Sequence, residues 1–132
     1  MRIVDNSATA VSTTGLVVDV TSAWFVPERY YYAVGSGVYH KRLLSDSAWV
    51  KYPYGTVTFH GSSQVRGSNL NDVFVVGSFG EVVHFNGVNW YSYFDRYQLP
   101  SGAYGSVAVT EHLVIAVGLL DGNRGIALIG RR

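Results

Sequence analysis

Three tripeptides, Ala33-Val34-Gly35, Val75-Val76-Gly77 and Ala116-Val117-Gly118, divide the chain at a nearly constant interval: Val34 and Val76 are 42 residues apart, Val76 and Val117 are 41 apart. Each follows an apolar run, Tyr30-Tyr31-Tyr32, Val73-Phe74 or Leu113-Val114-Ile115, and Trp49 and Trp90 repeat the interval at 41 residues. Markers that share one period describe a repeat in which each unit is one supersecondary structure, too small to bury its own apolar face and forced to stack on its neighbours. That requirement constrains the fold more than any composition figure does.

The middle unit is the plainest. Residues 71–90 read NDVFVVGSFGEVVHFNGVNW. Over 73–76 apolar residues stand at both parities in a β-branched and aromatic run, the pattern of a strand covered on both faces. Residues 77–81 carry two glycines and read as a turn, 82–85 as a second strand, and Asn86-Gly87 supplies the dipeptide favoured where a tight hairpin needs positive φ twice. A third strand follows over 90–94. With 48% apolar residues, fifteen glycines and no apolar stripe of helical period, the expected class is all-β.

This stretch resembles bacterial β-propeller repeats of the Kelch, YVTN and BNR-like group, through the order ND-aromatic-VVG-turn-VVH-aromatic-NG-Trp, and the resemblance extends in register over nearly the whole chain. It implies three four-stranded antiparallel blades in a single domain over residues 1–132. The expected divisions are an N-terminal strand within 1–14, repeat 1 over 15–60, repeat 2 over 61–102 and repeat 3 over 103–132. In repeat 1, strands are expected over 15–20 and 22–26, then 30–34, 38–43 and 49–54, with the segment 16–20 either extra material or a long, bent innermost strand. Repeat 2 gives 64–68, 72–76, 82–85 and 90–94; repeat 3 gives 106–110, 113–117 and 126–129 and lacks an outer strand. The short apolar stretch at 2–5 is the candidate for that missing strand.

Three blades cannot close a ring, and bare apolar sheet faces are association sites. The expectation is therefore a half propeller that closes by homodimerisation into a six-bladed ring, with strand exchange at the N-terminus, a two-fold arrangement of the commonest kind. Small lectins that build a ring from identical short chains offer the analogy.

Function is less constrained. A formal charge of +1, from ten basic and nine acidic residues, offers no field for nucleic acid or anionic lipid, so neither is an expected partner. The chain has no cysteine, hence no disulfide or thiolate site. No run approaches the twenty apolar residues of a membrane helix, and MRIVDNSATA carries no signal-peptide core, so a soluble, cytoplasmic chain is expected. The four histidines lack metal-ligand spacing; His40 and His84 take matching places in neighbouring repeats, and no metal or cofactor is expected. Nucleophile elbow, paired-carboxylate motif and phosphate loop are all missing, so catalysis is not expected.

If the strands follow propeller order, the turns between second and third strands and the connections between blades share one rim, where binding residues concentrate. The expected function is a non-catalytic binding module for a carbohydrate or small polar ligand, held by aromatic stacking and hydrogen bonds. Its ligand-binding candidates are Trp24, Phe79, Glu81, Tyr97, Asp121, Asn123 and Arg124. Trp49 and Trp90 read as packing residues, since they recur where a repeat needs bulk. The rival reading is a protein–protein interaction or assembly scaffold.

Overall fold

In a computed structural model describing residues 8–131, the chain forms three antiparallel sheets. Sheet 1 has the order β1 (Val20–Val26), β2 (Tyr30–Gly35), β3 (Val38–Lys41), β4 (Val50–Lys51). Sheet 2 repeats it with β5 (Ser62–Asn69), β6 (Asp72–Gly77), β7 (Val82–Phe85), β8 (Trp90–Ser92), followed by one helical turn, α1 (Phe94–Tyr97). Sheet 3 has three strands, β9 (Ala103–Val109), β10 (Leu113–Leu120) and β11 (Arg124–Arg131).

The repeat has a backbone cause. Each inner strand carries a bulge at the same place: Thr21 is the extra residue between the pairs Val20–Gly35 and Ser22–Val34, Ser63 between Ser62–Gly77 and Gln64–Val76, and Gly105 between Tyr104–Gly118 and Ser106–Val117. Those three residues are spaced 42 and 42 apart. Opposite each bulge sits the glycine of the repeated tripeptide. A Cβ on Gly35, Gly77 or Gly118 would lie 1.9, 2.2 or 1.9 Å from the carbonyl oxygen of Asp19, Gly61 or Ala103. The inner strand enters its sheet through space that only glycine leaves open.

The same register stitches sheet to sheet. The Val65 N–H donates to Ser22 Oγ (3.3 Å), and the equivalent Val107 N–H donates to Gln64 Oε1 (2.6 Å), so β1 lies beside β5 and β5 beside β9. Sheet 2 is sandwiched. Val73, Val75 and Val83 pack with Tyr32, Val34 and Val38 of sheet 1, whereas Phe74, Val76 and Val82 pack with Tyr104, Val107, Val114 and Ala116 of sheet 3. All six residues of β6 are buried, which is why its sequence is apolar at both parities.

The two outward faces are treated differently. Residues 12–19 cross the outward face of sheet 1: the Trp49 N–H and indole donate to the carbonyls of Thr14 (2.8 Å) and Ser12 (3.1 Å), the Tyr39 hydroxyl to Val17 (2.8 Å), and the Ser36 N–H to Asp19 (3.2 Å). Tyr31, Ala33, Tyr39 and Lys41 on that face are buried. On the outward side of sheet 3, Val117, Leu119 and Ile129 remain 44%, 51% and 59% exposed.

Several expected boundaries are corrected. Residues 15–19 form no strand; Thr13 to Leu16 make a turn, and the segment is the crossing leader, so it is extra material and not an inner strand. The outer strand expected over 49–54 shortens to two residues, and that over 90–94 stops at Ser92, two residues before α1 begins at Phe94. The loop expected after 117 is instead paired through Leu120–Arg124, with Asp121 (φ 53°) and Gly122 (φ 73°) forming a tight Asp-Gly hairpin turn. The strand expected over 2–5 lies outside the described residues.

Candidate functional site

The turns between second and third strands and the connectors between sheets do meet on one rim, and hydrogen bonds show how. The connector from sheet 1 to sheet 2 is held by Glu81, on the turn after β6. Its side chain is 1% exposed, and its two oxygens accept the Phe59 N–H (2.6 Å) and the His60 N–H (2.8 Å), with His60 Nδ1 3.4 Å from Oε2. Both carboxylate oxygens are thus committed to the protein. Glu81 shapes the rim from beneath, a role that its sequence position in a glycine-flanked turn does not reveal.

Phe79 stands on the same turn at φ 57°, 45% exposed. Its N–H donates to Gly102 O (2.9 Å) and its carbonyl accepts the Leu99 N–H (2.7 Å), tying it to the connector between sheets 2 and 3. Its ring lies 5.1 Å from the imidazole of His60, which lies equally close to Phe94. The next residues along the rim are Ser101, whose hydroxyl donates to Asp121, and Arg124, whose guanidinium donates to the other Asp121 oxygen at 2.7 Å. Those two bonds, Ser101's the stronger influence, hold the Asp121 carboxyl below the ordinary carboxylate range. Asn123 is exposed at the same hairpin tip. Tyr97 is on α1, its ring 6.3 Å from that of Tyr93.

Of the seven candidates, Phe79, Glu81, Asp121, Asn123 and Arg124 therefore share the rim, and Tyr97 flanks it. Trp24 stands apart. It pairs with Tyr32 across β1 and β2, its ring 6.4 Å away, and packs over Gly67, where a Cβ would come within 2.8 Å of the indole. It belongs to the contact between sheets 1 and 2.

A cavity of about 220 Å³ opens on the rim between Ser36, Lys51, Tyr54, Thr58, Phe59 and His60. Lys51 and Tyr54 are not candidates from the sequence; Lys51 reaches Ser36 through the pairing of β4 with β3, and Tyr54 through the fold of the connector. A second cavity, about 370 Å³, lies between sheets 2 and 3 and is lined by Phe74, His84, Tyr93, Tyr97, Leu128 and Gly130 among others.

A Ser–Asp–His set comes together among the described residues, in an order that does not activate its serine. Ser68 Oγ donates to Asp72, and His84 Nε2 lies 2.9 Å from the other oxygen of that carboxylate. With the carboxylate in the middle, the imidazole does not reach the hydroxyl it would have to deprotonate. Among the described residues no three His, Asp or Glu side chains group to hold a metal, and no helix is long and apolar enough to cross a membrane. His40, whose Nδ1 is 2.7 Å from the Tyr30 hydroxyl, is pushed below the ordinary histidine value by burial, and burial likewise pushes Tyr30 and Tyr32 up. These are packing groups of the junction between sheets 1 and 2. Compared with known proteins, the chain matches no family model, no curated protein and no solved structure.

Proposed function

We propose that the chain is a half-propeller interaction module, which works by joining its third sheet to another polypeptide. The observation that carries this reading is the unequal finish of the two terminal sheets: one outward face lies under residues 12–19, whereas the other is crossed by no segment among the described residues and leaves Val117, Leu119 and Ile129 exposed. The outer edge of β11, without a strand partner among the described residues, adds to it. β11 is eight residues long, pairs with β10 without a register shift, and over 125–130 contains neither charge nor proline. Protected edges are short, charged, bulged or broken by proline. By contrast, the outer strands β4 and β8 have two and three residues.

The partner we favour is a second copy, giving a homodimeric six-bladed ring. Residues 12–19 occupy the face of sheet 1 that such a neighbour would need, so closure requires the leader to leave that face. Light scattering at micromolar concentration tests it: a dimer of twice 14.5 kDa is expected, and a stable folded monomer would sink the homodimer.

A small-ligand module on the rim is the second reading, favoured by the aromatic cluster of His60, Phe79 and Phe94 beside a cavity that mixes apolar walls with Ser36, Lys51 and Thr58. Glycan-array binding that Arg124→Ala abolishes, and that a monomeric variant retains, would place it first.

A further inference from the structure

The cavity between sheets 2 and 3 has a filled counterpart between sheets 1 and 2. There Trp90, the first residue of β8, inserts among Tyr32 and Tyr52 of sheet 1 and Phe85 of its own sheet, at ring-centroid distances of 5.9, 5.9 and 5.1 Å, with His40 tilted against Tyr52 at 4.7 Å. Strand register carries each of these positions one unit on. Tyr32 pairs with His40 as Phe74 pairs with His84. Tyr52 follows Trp49 by three residues as Tyr93 follows Trp90. Val73 pairs with Phe85 as Val114 pairs with Gly130.

Phe74, His84, Tyr93 and Gly130 therefore reproduce the surroundings of Trp90, and all four line the 370 Å³ cavity. Two bulky groups have no equivalent there. Gly130 replaces Phe85, with the nearest atom to an added Cβ being Val114 Cβ at 3.9 Å, and sheet 3 has no fourth strand among the described residues to bring an indole. The outer edge of β11, which has no strand partner among the described residues, borders the same space through Leu128, Ile129, Gly130 and Arg131.

We propose that this cavity is a docking socket for the tryptophan side chain of a β-strand that another polypeptide adds antiparallel to β11. The incoming strand places its tryptophan opposite Gly130, as Trp90 stands opposite Phe85, and continues toward Ala127. Main-chain pairing supplies length-dependent affinity without sequence preference; the socket supplies selection for one large flat ring at one position. This inference rests on the interaction reading above and specifies the chemistry of what is accepted.

The test uses the full chain and three blocked peptides: residues 88–94 of this protein (Val-Asn-Trp-Tyr-Ser-Tyr-Phe), the same peptide with Trp90→Ala, and residues 1–7. The first peptide should bind by calorimetry and slow hydrogen exchange of the β11 amides over 127–131. Trp90→Ala in the peptide should weaken binding at least tenfold. Tyr93→Ala in the protein should weaken it about tenfold while the Trp90→Ala peptide is affected less, a difference that general unfolding would not produce. Equal binding of the two strand peptides, tighter binding of residues 1–7, or protection away from β11 would overturn the socket. If no peptide binds and the chain is nevertheless a dimer, the socket falls and the assembly reading stands; if the tryptophan peptide binds a monomer, the socket stands and the homodimer falls.

Discussion

The junction between sheets 1 and 2 and that between sheets 2 and 3 are built from matching positions, yet one is finished and the other is not. At the first, Trp24, Tyr30, Tyr52, Phe85 and Trp90 close over a core of fully buried valines. At the second, the inner half is equally well packed by Tyr104, Val107, Val114 and Ala116, but toward the outer strands packing gives way to a cavity. The inner part of a unit is thus fixed by the bulge, the glycine and the inter-sheet hydrogen bonds, whereas the outer part depends on a fourth strand with an indole at its head. Foldedness and completeness are separate properties here.

The largest test of that comparison is removal of the finishing residue. Trp90→Ala should cost about 3 kcal/mol, the range for deleting a large packed aromatic, measured as a shift in the urea midpoint. A loss under about 1 kcal/mol would mean that the aromatic closure contributes little and that the two junctions differ less than their packing suggests.

Matched substitutions sharpen the contrast. Tyr52→Ala should cost about 2 kcal/mol, because it strips a ring from Trp90, and its counterpart Tyr93→Ala about half as much, because that ring faces open space. Equal costs for the pair would show that the second junction is already as tightly closed as the first.

On the bare side, Leu119→Lys should change the stability of the single chain by no more than about 0.5 kcal/mol, as expected of an exposed site. It should nonetheless halve the solution mass at micromolar concentration if the face is an interface between copies. Retention of the full dimer mass would move the interface elsewhere.

The smallest expected effect is pH-dependent and belongs to the finished junction. His40 binds its proton less readily in the folded chain than at its ordinary value of 6.5, so the unfolded state takes up protons first as pH falls. Stability is therefore full above about pH 7 and declines as pH drops through 6.5 toward the lower folded value. Midpoints of His40→Asn should lose that decline; an unchanged profile would assign it to another group.

Sheet 2 could be read almost residue by residue, since β6 is covered on both faces and β7 lies between a glycine turn and Asn86-Gly87, although that dipeptide opens a four-residue connection in which Gly87 and not Asn86 takes positive φ. The sequence misleads where pairing is decided at a distance. Residues 15–20 have the composition of a strand, but only Val20 joins β1: Tyr39 and Ser36 take the carbonyls of Val17 and Asp19 one at a time, Trp49 takes those of Ser12 and Thr14 just before, and residues 12–19 become a strap. Leu119 and Leu120 looked like loop because the positive-φ pair that turns the chain lies one step later, at Asp121-Gly122. The rim was legible as topology, and five of its seven named residues lie there. What each does was not: Glu81 points inward, Lys51 comes beside Ser36 through the pairing of the two-residue β4 with β3, and Tyr54 is placed by the connector, which has no periodic signal.

The bulges at Thr21, Ser63 and Gly105 have a consequence for how such a chain changes length. Since Ser22 accepts the Val65 N–H and Gln64 accepts the Val107 N–H, the position that follows each bulge already presents what its successor must grip. Ser106 holds the same place in the last unit. Lineages of this kind can grow by gene duplication of whole units, because a fresh copy meets a surface that its template was already shaped to fit.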